Sequence, residues 1–320
     1  MIINEEVNSM KKRILVIGSA NMDFVMNISH LPSAGETLIE SGNYHMIPGG
    51  KGGNTAIAAQ RLGADCVLCA KLGRDANGDA LRRLFAAEGI NQSALRSTEE
   101  APTGLAAIMV EPDGTNRITV FPGANSLLDA DDAEEALLCY PDALLMQFEV
   151  PVEPILTAAY YAAKKNIPII IDAGPAIPDF PFDRLPPLEI FSPNETETEA
   201  YTGIYPSTAD TALQAAVRLQ KIVRSHYYVI KLGERGALVY DGKYYNIAAS
   251  YETTAVDTTA AGDSFTAALT LEYLRSGNIM HSCRYANAVG ALVVSRQGAS
   301  TSIPTEQQLA AFVASRGIVL

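Results

Sequence analysis

The chain has 320 residues, 48% hydrophobic and 19% charged, and carries a net charge of −12 from 24 Lys+Arg against 36 Asp+Glu. A chain of this size and apolarity buries a large core, roughly 75% of its unfolded surface, which excludes a disordered or low-complexity protein. The shortage of cations argues against a nucleic-acid partner, because binding a phosphate backbone takes a surplus of Lys and Arg to displace counterions. An anionic small molecule stays open, since a few local cations and backbone N–H groups can hold one.

The first ten residues, MIINEEVNSM, put acidic and amide groups where an export signal needs a basic start and an apolar run. Residues 1–12 therefore read as an N-terminal extension of a cytoplasmic protein. No stretch reaches the 18 or so apolar residues of a membrane span, so no membrane partner is expected. Apolar runs of strand length follow at 13–17, 67–72, 143–147, 167–172, 190–192, 227–231 and 237–240. Between them, helical patterns occupy 54–61, 78–88, 155–164, 195–202, 211–224 and 262–275. Uniformly apolar strands alternating with helices predict an α/β fold: three αβα layers around a mostly parallel sheet, covering 13–23, 49–102 and 122–316. Cys66 and Cys69 form a CxxC pair, but no second pair or nearby His completes a zinc set, and on a strand residues three apart face opposite ways.

Two segments break the alternation. Residues 24–48 place Pro32, Gly35 and Gly42 between short apolar pieces, and 103–121 reads as a hairpin turning at Glu111-Pro112-Asp113-Gly114. Strands inserted among βα units do not join a parallel sheet easily. They are expected to form a small β-sheet lid that excludes water from the crevice and pairs with a second copy as a homodimer.

Ligands of open α/β sheets bind beyond the carboxyl ends of the strands, so polar residues just after strands are the candidates. The strongest segment is Asp257-Thr258-Thr259-Ala260-Ala261-Gly262-Asp263, running into an apolar helix. The small residues Ala260, Ala261 and Gly262 leave N–H groups uncovered as an anion hole. Asp263 in the first turn reads equally as a helix cap or as the acceptor of a hydroxyl proton. Pro48-Gly49-Gly50-Lys51-Gly52-Gly53-Asn54 lets backbone approach a ligand, with Lys51 and Asn54 as donors, or is a flexible turn. It is not a Walker A loop, because Gly52 stands where Ser or Thr would reach Mg²⁺, and Gly18-Ser19-Ala20-Asn21-Met22-Asp23 lacks the dinucleotide fingerprint. Asn21, Asp23, Glu149, Asn194 and Glu197 bring carboxylates and amides to the same end of the sheet, which suits a polyhydroxylated ligand and hydrated Mg²⁺. Lys231-Leu232-Gly233-Glu234-Arg235-Gly236 adds a glycine turn suited to nucleotide contact.

In this order and spacing, Gly18-Ser19-Ala20-Asn21-Met22-Asp23, Gly49-Gly50-Lys51-Gly52-Gly53-Asn54, Asn194-Glu195-Thr196-Glu197 and the 257–263 turn resemble the ribokinase branch of the PfkB carbohydrate kinases, over about 13–304. The resemblance implies ATP-dependent phosphorylation of a sugar's primary hydroxyl, with ribose as the first choice and ribose 5-phosphate and ADP as products. It makes Asp263 the general base and Ala260, Ala261 and Gly262 the anion hole. It implies sugar contacts at Asn21, Asp23, Gly50, Lys51, Asn54 and Glu149, nucleotide contacts at Asn194, Lys231, Gly233, Gly236, Gly262 and Asn287, and Glu197 as organiser of Mg²⁺. A K⁺ ion is implied at Asp257, Thr259, Val293, Arg296, Gly298 and Ser302. Where ribokinases commonly read Gly-Gly-Lys-Gly-Ala-Asn-Gln-Ala the chain has Gly50-Lys51-Gly52-Gly53-Asn54-Thr55-Ala56, keeping Lys51 and Asn54, and where they read Asn-Pro-Ala-Pro it has Asp172-Ala173-Gly174-Pro175. Another sugar, deoxyribose, or a nucleoside held against Met22, Met46 or Ile108 therefore stays open, as does a non-catalytic sugar-binding protein.

Overall fold

The computed structural model describes residues 11–318; the extension expected at 1–12 lies outside them apart from Lys11 and Lys12. In chain order the elements are β1 (Arg13–Ile17), β2 (Asn21–Asn27), β3 (Tyr44–Gly49), α1 (Lys51–Arg61), β4 (Asp65–Gly73), α2 (Ala76–Ala87), β5 (Leu95–Thr98), β6 (Gly104–Val110) and β7 (Asn116–Phe121). They continue as α3 (Ala130–Ala136), β8 (Ala143–Met146), α4 (Val152–Lys164), β9 (Ile169–Asp172), β10 (Leu188–Ser192), α5 (Glu195–Thr202) and α6 (Ala209–Leu219). The remainder is β11 (Ser225–Lys231), β12 (Ala237–Tyr240), β13 (Tyr245–Ala248), α7 (Ala261–Ser276), α8 (Ile279–Val294) and α9 (Glu306–Ser315).

Nine strands form one sheet in the order β13-β12-β11-β10-β9-β8-β1-β4-β5, parallel except for the antiparallel edge made by β12 and β13. Alternation along β1 shows why two helix layers are needed. Ile14 and Val16 enter the core shared with α1, α2, α7 and α8, while Leu15 and Ile17 enter the core under α3, α4 and α6, all fully buried. Cys66 and Cys69 on β4 divide between the same two cores, and burial pushes both thiols up, Cys69 to about 12. They are core residues, as the strand reading requires.

The second sheet, β3-β2-β6-β7, is the expected lid, with β2 and β6 parallel and a β6–β7 hairpin. Its boundary differs from the sequence expectation: Asn21 and Asp23 already belong to lid strand β2, and Gly49 ends lid strand β3. Two further differences have clear causes. The helix expected to reach 224 stops at Leu219, because short-range turns bring Val223 (1% exposed) into the core ahead of β11. The helical patterns also omit α8 and α9; α8 is buried around most of its circumference, so its sequence shows an apolar run instead of one stripe, and α9 buries Leu309 alone, too little to mark a stripe. Among the described residues no helix is long and apolar enough to cross a membrane.

Candidate active site

The carboxyl ends of β1, β8, β9, β10 and β11 meet the first turns of α1, α5 and α7. Helix α1 starts after Gly50, whose φ of 84° places it where only glycine is comfortable, and no side chain caps it. Its early amides are taken by other segments: Lys51 N–H donates to Glu149 Oε2 (3.1 Å) and Gly53 N–H to the Ser19 carbonyl (2.9 Å). The Ser19 hydroxyl donates to the same Glu149 oxygen. This start aims Lys51 and Asn54 at α7, where Asp263 (5% exposed) accepts from Asn54 Nδ2 at 2.9 Å and pairs with Lys51 Nζ at 3.5 Å. Asp263 is the chief cause holding the Lys51 ammonium above its ordinary value, with Asp172, Glu149 and Glu197 adding to it against burial. Asp23 faces Glu149 and Asp263 from the lid; burial, then these two carboxylates, push it up to about 7.

Helix α7 also lacks a side-chain cap, and the residue before it, Ala260, sits in the left-handed region at φ 62°. This strained turn leaves the Ala260 and Gly262 N–H groups without a protein acceptor among the described residues. The expected anion hole needs one correction: the Ala261 N–H donates to the Thr258 carbonyl at 3.2 Å, so it is engaged within the turn.

Asn194 and Glu197 form a reciprocal capping box on α5, each side chain accepting from the other's N–H at 2.8 Å. That uses Oε2 of Glu197. Its Oε1 packs against Gly174, filling the space a side chain there would take, since an added Cβ would come within 2.1 Å of it. Burial raises the Glu197 carboxyl, with the Lys231 cation opposing. A cleft of about 890 Å³ runs between α5 and α7, lined by Asn194, Lys231, Gly233, Gly236, Gly262 and Asn287 among others. Every residue expected at the nucleotide except Glu197 thus lines this cleft. Two have further duties: Lys231 pairs with Asp172 at 2.8 Å, and Asn287 Nδ2 holds the carbonyls of Ala248 and Ala249 at 2.9 and 3.0 Å.

Of the residues expected at K⁺, Asp257 is bonded to the amides of Thr259 and Gly298, both at 2.9 Å, and the Val293 carbonyl accepts from Arg296 N–H at 3.1 Å. Ser302 is less directly joined, its hydroxyl donating to Ala299 at 2.8 Å. Of the three residues considered as a nucleoside wall, Met22 and Met46 lie on the lid face opposite Asp23, since Met46 pairs with Phe24 and Met22 adjoins Asp23 on an alternating strand. Ile108, two residues beyond Ala106, which pairs with Asp23, shares the Asp23 face.

A family model for pfkB carbohydrate kinases matches residues 11–306. The chain belongs to the pfkB family of carbohydrate kinases. This kinase is 34% identical over 309 residues to the ribokinase of Haemophilus influenzae, covering 95% of this chain and 99% of that one. It is 30% identical to the deoxyribokinase of Salmonella typhi, over 92% of this chain and 96% of the relative. Its fold matches the structure of Arabidopsis thaliana ribokinase complexed with ribose and ATP, with a TM-score of 0.86 at 30% identity over 95% and 99% of the two chains. Sequence reasoning did not single out three residues that brace the candidate site. Asn125 donates to Asn21 Oδ1 at 2.7 Å, Thr55 receives Gln147 Nε2 at 3.1 Å, and Asp172 anchors Lys231. Thr55 and Asp172 left a trace in the sequence, as departures from the ribokinase pattern, and Asn125 left none.

Proposed function

We propose that this kinase transfers the γ-phosphoryl group of ATP to the primary 5-hydroxyl of D-ribose, giving ribose 5-phosphate and ADP. One observation carries the reading: the buried Asp263 carboxylate stands between Lys51 and Asn54, at the uncapped start of α7 and next in the chain to Gly262, which lines the cleft. Asn21, Asp23, Gly50, Lys51, Asn54 and Glu149 hold the sugar, with the lid over it. Asn194, Lys231, Gly233, Gly236, Gly262 and Asn287 hold the nucleotide. Asp263 takes the hydroxyl proton, and the amides of Ala260 and Gly262 face the charge that develops on the phosphoryl group, joined by Ala261 if its bond to Thr258 opens. Phosphoryl transfer asks little covalent work of a protein, so most of the acceleration comes from this positioning.

Glu197 Oε1, the carboxylate oxygen its capping box leaves unused, fits the organisation of hydrated Mg²⁺, which when bound would neutralise phosphate charge. The oxygen donors around Asp257, Thr259, Val293, Arg296, Gly298 and Ser302 suit K⁺, a hard cation. Apolar side chains exposed on the lid sheet, Ile118 at 55% and Val120 at 47%, support a homodimer through the lid; a monomer in sedimentation at micromolar concentration would remove that part. The similarity to a deoxyribokinase supports 2-deoxyribose as a second substrate. The test is ADP release with Mg²⁺, with and without K⁺, over pentoses, hexoses and nucleosides. Fastest turnover on ribose is expected; turnover on nucleosides alone would overturn the reading.

A further inference from the structure

Asp172 ends β9 and is 1% exposed. Its Oδ1 accepts from Lys231 Nζ and its Oδ2 from Thr266 Oγ1, both at 2.8 Å, so one carboxylate ties the end of β11 to α7. With both oxygens occupied and no opening to solvent, it has no means of meeting a substrate directly. Its influence passes through Lys231. That ammonium carries three donors, only one of which goes to Asp172, and it lies 3.6 Å from where a Cβ on Gly262 would sit, on the wall of the cleft. An unpaired ammonium in such a place would hold the phosphates of substrate and product alike, which deepens binding without favouring the transition state. A carboxylate in contact with it offsets that attraction and fixes its direction.

We propose that Asp172 is a positioning residue that aims Lys231 at the first turn of α7 and, by offsetting its charge, limits how tightly the cleft holds nucleotide phosphates. The inference rests on the nucleotide reading of the cleft.

Calorimetric titration with ADP and, separately, with uncharged adenosine tests it on the full chain. Asp172→Asn is expected to bind ADP about tenfold tighter than the wild type, with adenosine affinity unchanged and the KM for ATP falling in step. Lys231→Met, which leaves Asp172 unpaired, is expected to weaken ADP about tenfold or more, and Asp172→Asn in that background to restore most of the loss. Thr266→Val breaks a contact to the same carboxylate without changing charge and should leave ADP within about threefold of the wild type. Equal weakening of ADP and adenosine by Asp172→Asn, or a Thr266→Val effect matching it, would reduce Asp172 to packing and overturn the proposal. Should Asp172→Asn alone fail to fold, equal ADP affinity in Lys231→Met and the double variant would overturn it instead. A wild-type protein that binds neither ligand would remove the nucleotide reading itself, and this inference with it.

Discussion

Helices α6 and α7 begin in opposite ways. Thr208 caps α6 with a reciprocal box, its hydroxyl accepting from Thr211 N–H at 3.2 Å while Thr211 Oγ1 accepts from Thr208 N–H at 2.9 Å. Nothing caps α7, which starts from a left-handed Ala260 and leaves first-turn amides without partners. Most helix starts are closed by a local side chain because open N–H groups cost stability. One left open at the mouth of a cleft, beside a buried carboxylate, is where stability gives way to chemistry. Helix α1 lies between the two, uncapped locally but closed by Glu149 and the Ser19 carbonyl from other strands.

The largest test of this contrast is at α7. Asp263→Asn keeps the size of the side chain and removes its ability to accept a proton. The kcat is expected to fall about 10²–10⁴-fold, or ~3–5 kcal/mol in barrier, with ATP affinity nearly unchanged. Steady-state kinetics with ribose check this; full turnover would leave Asp263 as a buried partner of Lys51 and Asn54 with no part in proton transfer. Next comes α1. At Gly50, φ is 84° and an added Cβ would lie 2.7 Å from the Asn21 amide and 3.0 Å from Ala20 Cα, both backbone. Gly50→Ala should cost about 2–4 kcal/mol of stability and raise the KM for sugar. Gly277→Ala, at φ 65° with open space around it, should cost only about 1 kcal/mol. Equal losses in urea titration would mean the start of α1 is no more constrained than an ordinary helix end.

What the sequence reveals follows the same division. The Asn194–Glu197 box spans four residues and is legible as a local pattern, and the 257–263 turn is legible through its small residues. The supports behind them are not. Asp172 meets Lys231 across 59 positions and Thr266 across 94, and Asn125 reaches Asn21 across 104. No local pattern marks a partner so distant, so only folding brings these groups together. The lid was legible from its broken alternation, whereas its true edge at Asn21 was not, because a strand can leave one sheet and enter another within three residues, 18–20.

Asp23 sharpens the comparison between the lid and the main sheet through pH. Its folded value of about 7, against an ordinary 3.8, means the folded protein keeps a proton that the unfolded chain releases between those limits. The stability this contributes is fully present below about 3.8 and is lost as pH rises through about 7. Asp23→Asn removes the dependence. Its Tm should match the wild type near pH 4 and exceed it increasingly toward pH 8, while sugar affinity drops. Parallel Tm curves for the two proteins would show that neither burial nor Glu149 and Asp263 shifts the lid carboxylate.

The smallest expected effect isolates the caps themselves. Thr208→Ala should cost about 1 kcal/mol and leave kcat unchanged, because α6 starts on the outside of the fold. Ala260→Gly relieves about 1–2 kcal/mol of left-handed strain at the start of α7 but loosens the unfolded chain by about 0.4–1 kcal/mol, so stability should rise by about 1 kcal/mol or less. The same change lets the first-turn amides wander, and kcat should fall several-fold. Urea titration and turnover measured on the same preparations separate the two helices: stability moves without rate at Thr208, and rate falls without a matching loss of stability at Ala260. A fall in kcat at Thr208, or an unchanged one at Ala260, would mean that the strained turn ahead of α7 has no part in holding its amides for the phosphoryl group.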